Sequence, residues 1–223
     1  MIGVIRVFTT EDQTILREHG KVIESLYGIP TVNKCIPDQP FGIHNDETER
    51  IAIPKIVALG KELEEQGCKV LVLSCAADPG IAELRRQVSI PVVGAGSTTA
   101  LAAKGYGQPV GVMGITPDLP NVMKELLGDQ LVAYGRPEGV SKTTDLLTEA
   151  GRKNSLAAAR SLVEQGAKVL AFACTGYATI GLAGEIRQEL GIPVIDPVEV
   201  EGWFASYALM SASAQSPKGG EGR

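Results

Sequence analysis

Two cysteines close two copies of one segment. Residues 65–75 read Glu-Gln-Gly-Cys-Lys-Val-Leu-Val-Leu-Ser-Cys, and residues 164–174 read Glu-Gln-Gly-Ala-Lys-Val-Leu-Ala-Phe-Ala-Cys, so Cys75 and Cys174 stand at the same offset as Gly67 and Gly166. Each copy reads as a helix end, a glycine stop, a buried strand and a cysteine at the strand's C-terminal end. Open α/β sheets bind their ligands at that end. A duplicated fold can therefore present two thiols from opposite sides to one small molecule, and the matching chemistry is inversion at carbon. One thiolate removes a proton from one face and the opposite thiol returns a proton to the other, with no redox cofactor. Near-attack distances of ~3–3.5 Å on each face set the sulfurs about 7 Å apart. An ordinary thiol, with a pKa of ~8.5, is only about 3% ionised at pH 7. The helix N-terminus after each cysteine is expected to favour the thiolate. One such cysteine alone would read as a small buried hydrophobe; two at equivalent positions point to chemistry. Cys35 and Cys68 have no such counterparts and read as structural.

Other residues gather at strand tips. Gly94-Ala95-Gly96-Ser97-Thr98-Thr99 follows a strand and opens a helix, a pattern that suits a cradle of backbone N–H groups for an anion or imide, with Ser97 as cap, ligand contact or both. It is no dinucleotide fingerprint: the third glycine is missing and the segment is not in the first strand–helix unit. Arg6, Thr9 and Thr10 end the first strand and Thr116 ends its repeat partner. Arg6 suits either a carboxylate or imide oxygen of a ligand or a structural ion pair. Thr175 and Tyr177, beside Cys174, are candidates for hydrogen bonds to substrate. Asp78 precedes Pro79 and reads as the N-cap of the next helix, or else as a group that orients substrate or a thiol. His44, in a proline-rich loop, either enters the cleft from above or is solvated.

These residues need a scaffold that brings strand ends together. Near-continuous apolar runs predict strands buried on both faces, as in a parallel sheet, over Ile2–Val7, Thr31–Cys35, Lys69–Ser74, Ile90–Gly94, Val110–Ile115, Gln130–Tyr134, Lys168–Ala173 and Ile192–Ile195. Ile53, Ile56, Val57, Gly60 and Leu63 fall at helical spacing before Gly67, with Pro54 as a kink or a first-turn residue; Leu156, Ala159, Leu162 and Val163 repeat the pattern before Gly166. Ile90-Pro91-Val92 recurs as Ile192-Pro193-Val194, and Gly3-Val4-Ile5 as Gly111-Val112-Met113. The chain thus reads as an α/β protein of two pseudo-symmetric doubly wound lobes, each with a mainly parallel four-stranded sheet, and a cleft between them. Lobe 1 is expected over 1–96 plus 199–212, lobe 2 over 97–198, and a disordered tail over 213–223, in a small, polar, Gly-rich stretch from Ser211.

Bulk properties narrow the class. The 223 residues are 44% hydrophobic and 21% charged with a formal charge of −5, which describes a globular protein without the basic stripe that nucleic acid requires. No apolar run approaches the ~18 residues of a membrane span, and the first residues read as a strand rather than a signal peptide. Four cysteines without a Cys-x-x-Cys pair and two histidines argue for a reducing, cytoplasmic setting and against a metal site. No cofactor, a small-molecule substrate and a homo-oligomer are expected.

The duplicated architecture, Ser74-Cys75-Ala76-Ala77-Asp78-Pro79-Gly80 and Ala173-Cys174-Thr175-Gly176 resemble the aspartate/glutamate/hydantoin racemase superfamily over nearly the whole chain to about Met210. The hydantoin racemase branch is the nearer match, with a Cys, a short Gly/Ala-rich spacer and Asp-Pro-Gly, and a second Cys followed by a small residue and Gly. Glutamate and aspartate racemases usually carry Cys-Asn-Thr and then Cys-Thr-His or Cys-Thr-Glu; here Ala76-Ala77 and Gly176 stand at those places. The resemblance implies a cofactor-independent racemase of 5-substituted hydantoins or allantoin-like rings, with Cys75 and Cys174 as the acid/base pair. The expected substrate contacts are Arg6, Thr9, Ala76, Ser97, Thr98, Thr116, Thr175, Gly176 and Tyr177. Competing readings are an aspartate/glutamate racemase, an enzyme like maleate isomerase or arylmalonate decarboxylase, and a non-catalytic two-lobe binding protein.

Overall fold

Eight short apolar runs form eight parallel strands, divided equally between two sheets in the computed structural model, which describes residues 1–43 and 45–214. In the first lobe β1 (Ile2–Arg6), β2 (Thr31–Cys35), β3 (Val70–Leu73) and β4 (Val92–Gly94) lie in the order β2-β1-β3-β4. In the second, β5 (Val110–Met113), β6 (Leu131–Gly135), β7 (Val169–Phe172) and β8 (Val194–Ile195) lie in the order β6-β5-β7-β8. Register follows the repeat: Gly3 pairs with Leu71 where Gly111 pairs with Leu170. β1, β3, β5 and β7 stop a residue or two before the ends of their apolar runs, whose last residues turn out of the ladder; β4 and β8 start two residues late, β2 spans its whole run and β6 is shifted one residue on. The order reverses between β1 and β3 and between β5 and β7, and those two switch points are where a doubly wound sheet opens a crevice.

Helices cover the sheets. In lobe 1 these are α1 (Gln13–Tyr27), α2 (Asp46–Glu65) and α3 (Ile81–Gln87); α4 (Ala95–Lys104) leads into lobe 2, with α5 (Asn121–Leu127), α6 (Glu149–Glu164), α7 (Gly176–Thr179) and α8 (Leu182–Leu190). The last is α9 (Pro197–Ala214). The predicted glycine stops hold: α2 and α6 end just before Gly67 and Gly166, which take φ of +90° and +102°. Pro54 falls inside α2, past its first turn, because Asn45 caps the helix well upstream of the apolar stripe.

Two helices change sides. α4 follows β4 of the first sheet, yet its Ala100 and Ala103 pack with Val110, Val112, Val169 and Ala171 of the second. α9 follows β8 of the second sheet, yet its Val198 and Ala205 pack with Ile2, Val4, Val70 and Val72 of the first. α9 continues through Ser211 to Ala214, into the stretch expected to begin the tail; the remainder of that tail, and His44, lie outside the described residues. Among the described residues no helix is long and apolar enough to cross a membrane, and no cluster of three or more His, Cys, Asp or Glu side chains is placed to hold a metal ion.

Candidate functional site

Both cysteines leave their strands in the same way. The Ser74 N–H donates to the Ile5 carbonyl (3.0 Å) and the Ala173 N–H to the Met113 carbonyl (2.8 Å), so Cys75 and Cys174 are the first residues past the ladder at the two switch points. Cys75 is half-buried and Cys174 buried. The thiols feel each other across the lobe junction, Cys174 being one of the groups that push Cys75 up.

The loop after Cys75 is fastened to the other lobe's helix. Asp78, held at φ +50°, accepts the Gly96 and Ser97 N–H groups through its two carboxylate oxygens at 2.8 Å each. Asp78 therefore caps α4 rather than α3, whose N-cap is Gly80 without a side-chain bond. The loop also presses its Ala76 carbonyl against Gly96, where a Cβ would sit 2.0 Å from that oxygen. This corrects the expected anion cradle: the Gly96 and Ser97 amides are already taken by Asp78. Thr98 is buried and donates to the Gly94 carbonyl at 2.7 Å, and the Ser97 hydroxyl reaches the same carbonyl at 3.3 Å.

The loop after Cys174 is built differently. The Gly176 N–H donates to Cys174 Sγ at 3.4 Å, and Thr143, from a short 3₁₀ turn over Thr143–Leu147, adds its hydroxyl. A Cβ on Gly176 would meet Thr143 Cγ2 at 2.4 Å, so glycine there admits the threonine to the sulfur. Thr175 is half-buried at the start of α7. Tyr177 is fully buried against Phe172 and donates to the Gly114 carbonyl at 3.1 Å, which turns its hydroxyl inward. Thr116 donates to the Asp118 carbonyl at 2.8 Å. The Thr9 hydroxyl donates to the Ile36 carbonyl and accepts the Gln39 N–H, each at 2.7 Å, pinning the loop after β2. Thr10 lines a separate groove of about 780 Å³ beside β2, away from the thiols.

The thiols do not rest as thiolates. Burial pushes Cys75 up to about 12; the Ala77 N–H opposes this, while Asp78, Cys174 and Glu49 add to it. Burial also raises Cys174, against which stand the Gly176 N–H, the Thr143 hydroxyl and the Arg6 charge. The expected thiolate stabilisation fails because loss of water outweighs one or two amide dipoles. α3 itself begins only at Ile81.

A polar cluster behind Cys75 was not foreseen from the sequence. Ser74 Oγ lies 2.7 Å from His19 Nδ1 and donates to Glu201 Oε1 at 2.7 Å, joining α1, β3 and α9 in the interior. His19 and Glu201 are fully buried, and His19 Nε2 and Glu201 Oε2 have no partner among the described residues. Burial depresses the histidine well below its ordinary range and raises the glutamic acid well above the carboxylate range, the latter against the pull of Ser74 and Arg6. Arg6 belongs to the same cluster: it is buried, and its Nη1 donates to the Ile15 carbonyl at 2.9 Å and the Leu16 carbonyl at 3.4 Å.

Comparison with known proteins bears on the family and the fold. The Asp/Glu/Hydantoin racemase family model matches residues 28–205. A hydantoin racemase of Pseudomonas sp. (strain NS671) is 28% identical over 176 residues, 71% of this chain and 66% of that protein, so the match spans just under two thirds of that relative's length. A hydantoin racemase of Rhizobium meliloti is 26% identical over 189 residues, covering 80% of this chain and 76% of that one. The allantoin racemase from Klebsiella pneumoniae shares the fold with a TM-score of 0.81 at 21% identity, covering 95% of this chain and 88% of that one.

Proposed function

The chain belongs to the Asp/Glu/hydantoin racemase family, and we propose that it is an isomerase that inverts C5 of 5-substituted hydantoins or allantoin-like rings by two-thiol proton transfer, without a cofactor. The carrying observation is the equivalent placement of Cys75 and Cys174 at the two switch points, each one residue past its strand ladder. A flat ring held between them offers one face to each sulfur. The C5–H bond breaks as one thiolate takes the proton; its electron pair passes into the ring carbonyl as an enolate, and the opposite thiol delivers a proton to the other face. Each turnover exchanges the roles of the sulfurs. In this reading Thr175, half-buried beside Cys174, supplies a hydroxyl to the developing oxyanion. A free amino acid is a weaker carbon acid than a hydantoin, and Gly176 offers no side chain to assist it. We place the protein in the cytoplasm as a homo-oligomer acting on a small molecule.

The test is solvent exchange at the reacting carbon. Racemisation and deuterium uptake in D₂O are followed across 5-substituted hydantoins, allantoin, glutamate, aspartate and an arylmalonate. Hydantoin-type rings should exceed matched amino acids in kcat/KM. Faster turnover of glutamate or aspartate would move the protein to another branch, and decarboxylation without racemisation would replace the reaction.

A further inference from the structure

Resting on the racemase reading, we propose that Arg6 selects substrates with an acidic 5-substituent, gripping that carboxylate beside the thiols. Strand alternation puts Arg6 on the face of β1 that carries Ile2 and Val4, under α1 and α9, at the end of the strand where the crevice opens. Nη1 spends its hydrogens on the Ile15 and Leu16 carbonyls, which anchors the guanidinium to the first turn of α1. Its centre lies 4.9 Å from the Phe8 ring centroid, which shields that side from water. The Nε and Nη2 hydrogens, the pair that forms a planar fork for a carboxylate, have no hydrogen-bonded acceptor among the described residues.

No carboxylate of the described residues bonds to this fork; Glu201 and Glu18 act on the arginine's charge only across space. Among the described residues Arg6 enters none of the ion pairs, all of which lie on outer faces. Glu201, a member of the same buried cluster, accepts the Ser74 hydroxyl, and burial raises it well above the usual carboxylate range while Ser74 and Arg6 oppose the rise. Glu18 accepts the Thr179 hydroxyl at 3.0 Å. Even with its pKa lowered to about 10 by burial, Arg6 remains a cation at neutral pH. A buried cation with no directly bonded counterion is costly, so a ligand that supplies the anion at the fork binds more tightly than its neutral isostere. The hydantoin ring is neutral at pH 7 and cannot be that anion in the ground state; a carboxylate on the 5-substituent can. The Ile5 carbonyl, just before Arg6, accepts the Ser74 N–H, just before Cys75, so the arginine's strand ends beside the thiol corner; the Arg6 charge also lowers Cys174.

A matched pair decides it: 5-(2-carboxyethyl)hydantoin against its isosteric amide, 5-(2-carbamoylethyl)hydantoin, in wild type, Arg6→Gln and Arg6→Lys. Wild type should favour the acid at least about tenfold in kcat/KM. Arg6→Gln should lower the acid about 100-fold and the amide less than about tenfold, erasing the preference; Arg6→Lys should keep part of it. Equal losses on both compounds would make Arg6 a stabiliser of the enolate or of the Cys174 thiolate and overturn the proposal, as would a wild type that does not prefer the acid. Calorimetric binding of the same pair separates this result from failure of the racemase reading, because charge selection appears in Kd without turnover. If Arg6→Gln does not fold, the wild-type ratio and Arg6→Lys decide.

Discussion

The corners around Cys75 and Cys174 descend from the same repeated segment and differ in what surrounds the sulfur. At Cys75 one backbone N–H faces three groups of negative or potentially negative charge, Asp78, Cys174 and Glu49. At Cys174 an N–H, a hydroxyl and the Arg6 cation face Asp196. The first corner is tuned for mechanical hold, through Asp78 on the α4 amides, and the second for negative charge on sulfur. The repeat fixes where the sulfurs stand; the unrepeated neighbours decide which ionises first. If the two thiols form the proposed acid/base pair, Cys174 is the expected base in the free enzyme and Cys75 the expected acid.

The sharpest test of that asymmetry is to remove each sulfur. Cys75→Ser and Cys174→Ser should each lower racemisation by at least about 10³-fold, since a hydroxyl is far too weak an acid to serve at neutral pH. Their residual behaviour should differ. Cys75→Ser keeps the Cys174 base and should exchange the C5 proton of one enantiomer with D₂O without inverting it. Cys174→Ser leaves only the thiol pushed to about 12 and should exchange neither. The reverse pattern would exchange the roles of the corners.

A second test is the pH profile. Both thiols are raised, so the reactive thiolate is scarce at neutral pH, and log kcat/KM should climb with pH at a slope of about one well beyond the ordinary thiol range. A plateau already at pH 7 would show that one thiol rests ionised.

A smaller effect is expected at the brace. Asp78→Asn replaces an acceptor oxygen with an N–H donor facing either Gly96 or Ser97, and should cost about 1–2 kcal/mol in urea unfolding with a kcat/KM loss of about tenfold. Exchange driven by Cys174 alone should be spared. Equal loss in both directions would mean that the brace serves the whole cleft.

The last effect is on stability and not on turnover. Asp196, which accepts the Val198 N–H at 2.8 Å, is raised to about 7 chiefly by burial. A carboxyl raised on folding contributes stability that is complete below its unfolded range near pH 4 and is lost as pH climbs through 7. Asp196→Asn should shrink the fall in unfolding free energy between pH 4 and 7 by about 2–4 kcal/mol. An unchanged slope would assign the loss to Asp78 and Glu201.

The lobes, the parallel sheets and the two cysteines were legible because they rest on local patterns: apolar runs, glycine stops and a repeat. Partners distant in sequence were not. Asp78 reads as a cap for the helix it precedes, and only the tertiary fold brings the start of α4 to it. His19 and Glu201 did leave a signal. His19 lies on the stripe Leu16, His19, Gly20, Ile23, and Glu201 on the stripe Val198, Glu201, Gly202, Ala205. A polar residue in the middle of an apolar stripe marks an interior polar contact. The helix patterns alone could not show that the two stripes meet over Ser74.

The exchange of α4 and α9 between lobes bears on how the chain is made. Every strand of the first sheet emerges from the ribosome long before α9, the helix that closes over Ile2, Val4, Val70 and Val72. That apolar surface must wait, solvent-facing or held by a chaperone, while more than half of the polypeptide is still to be synthesised. Chains halted just before Pro197 would carry both sulfurs and all eight strands, yet leave bare the part of this surface that α1 does not cover. They are the products most prone to clump.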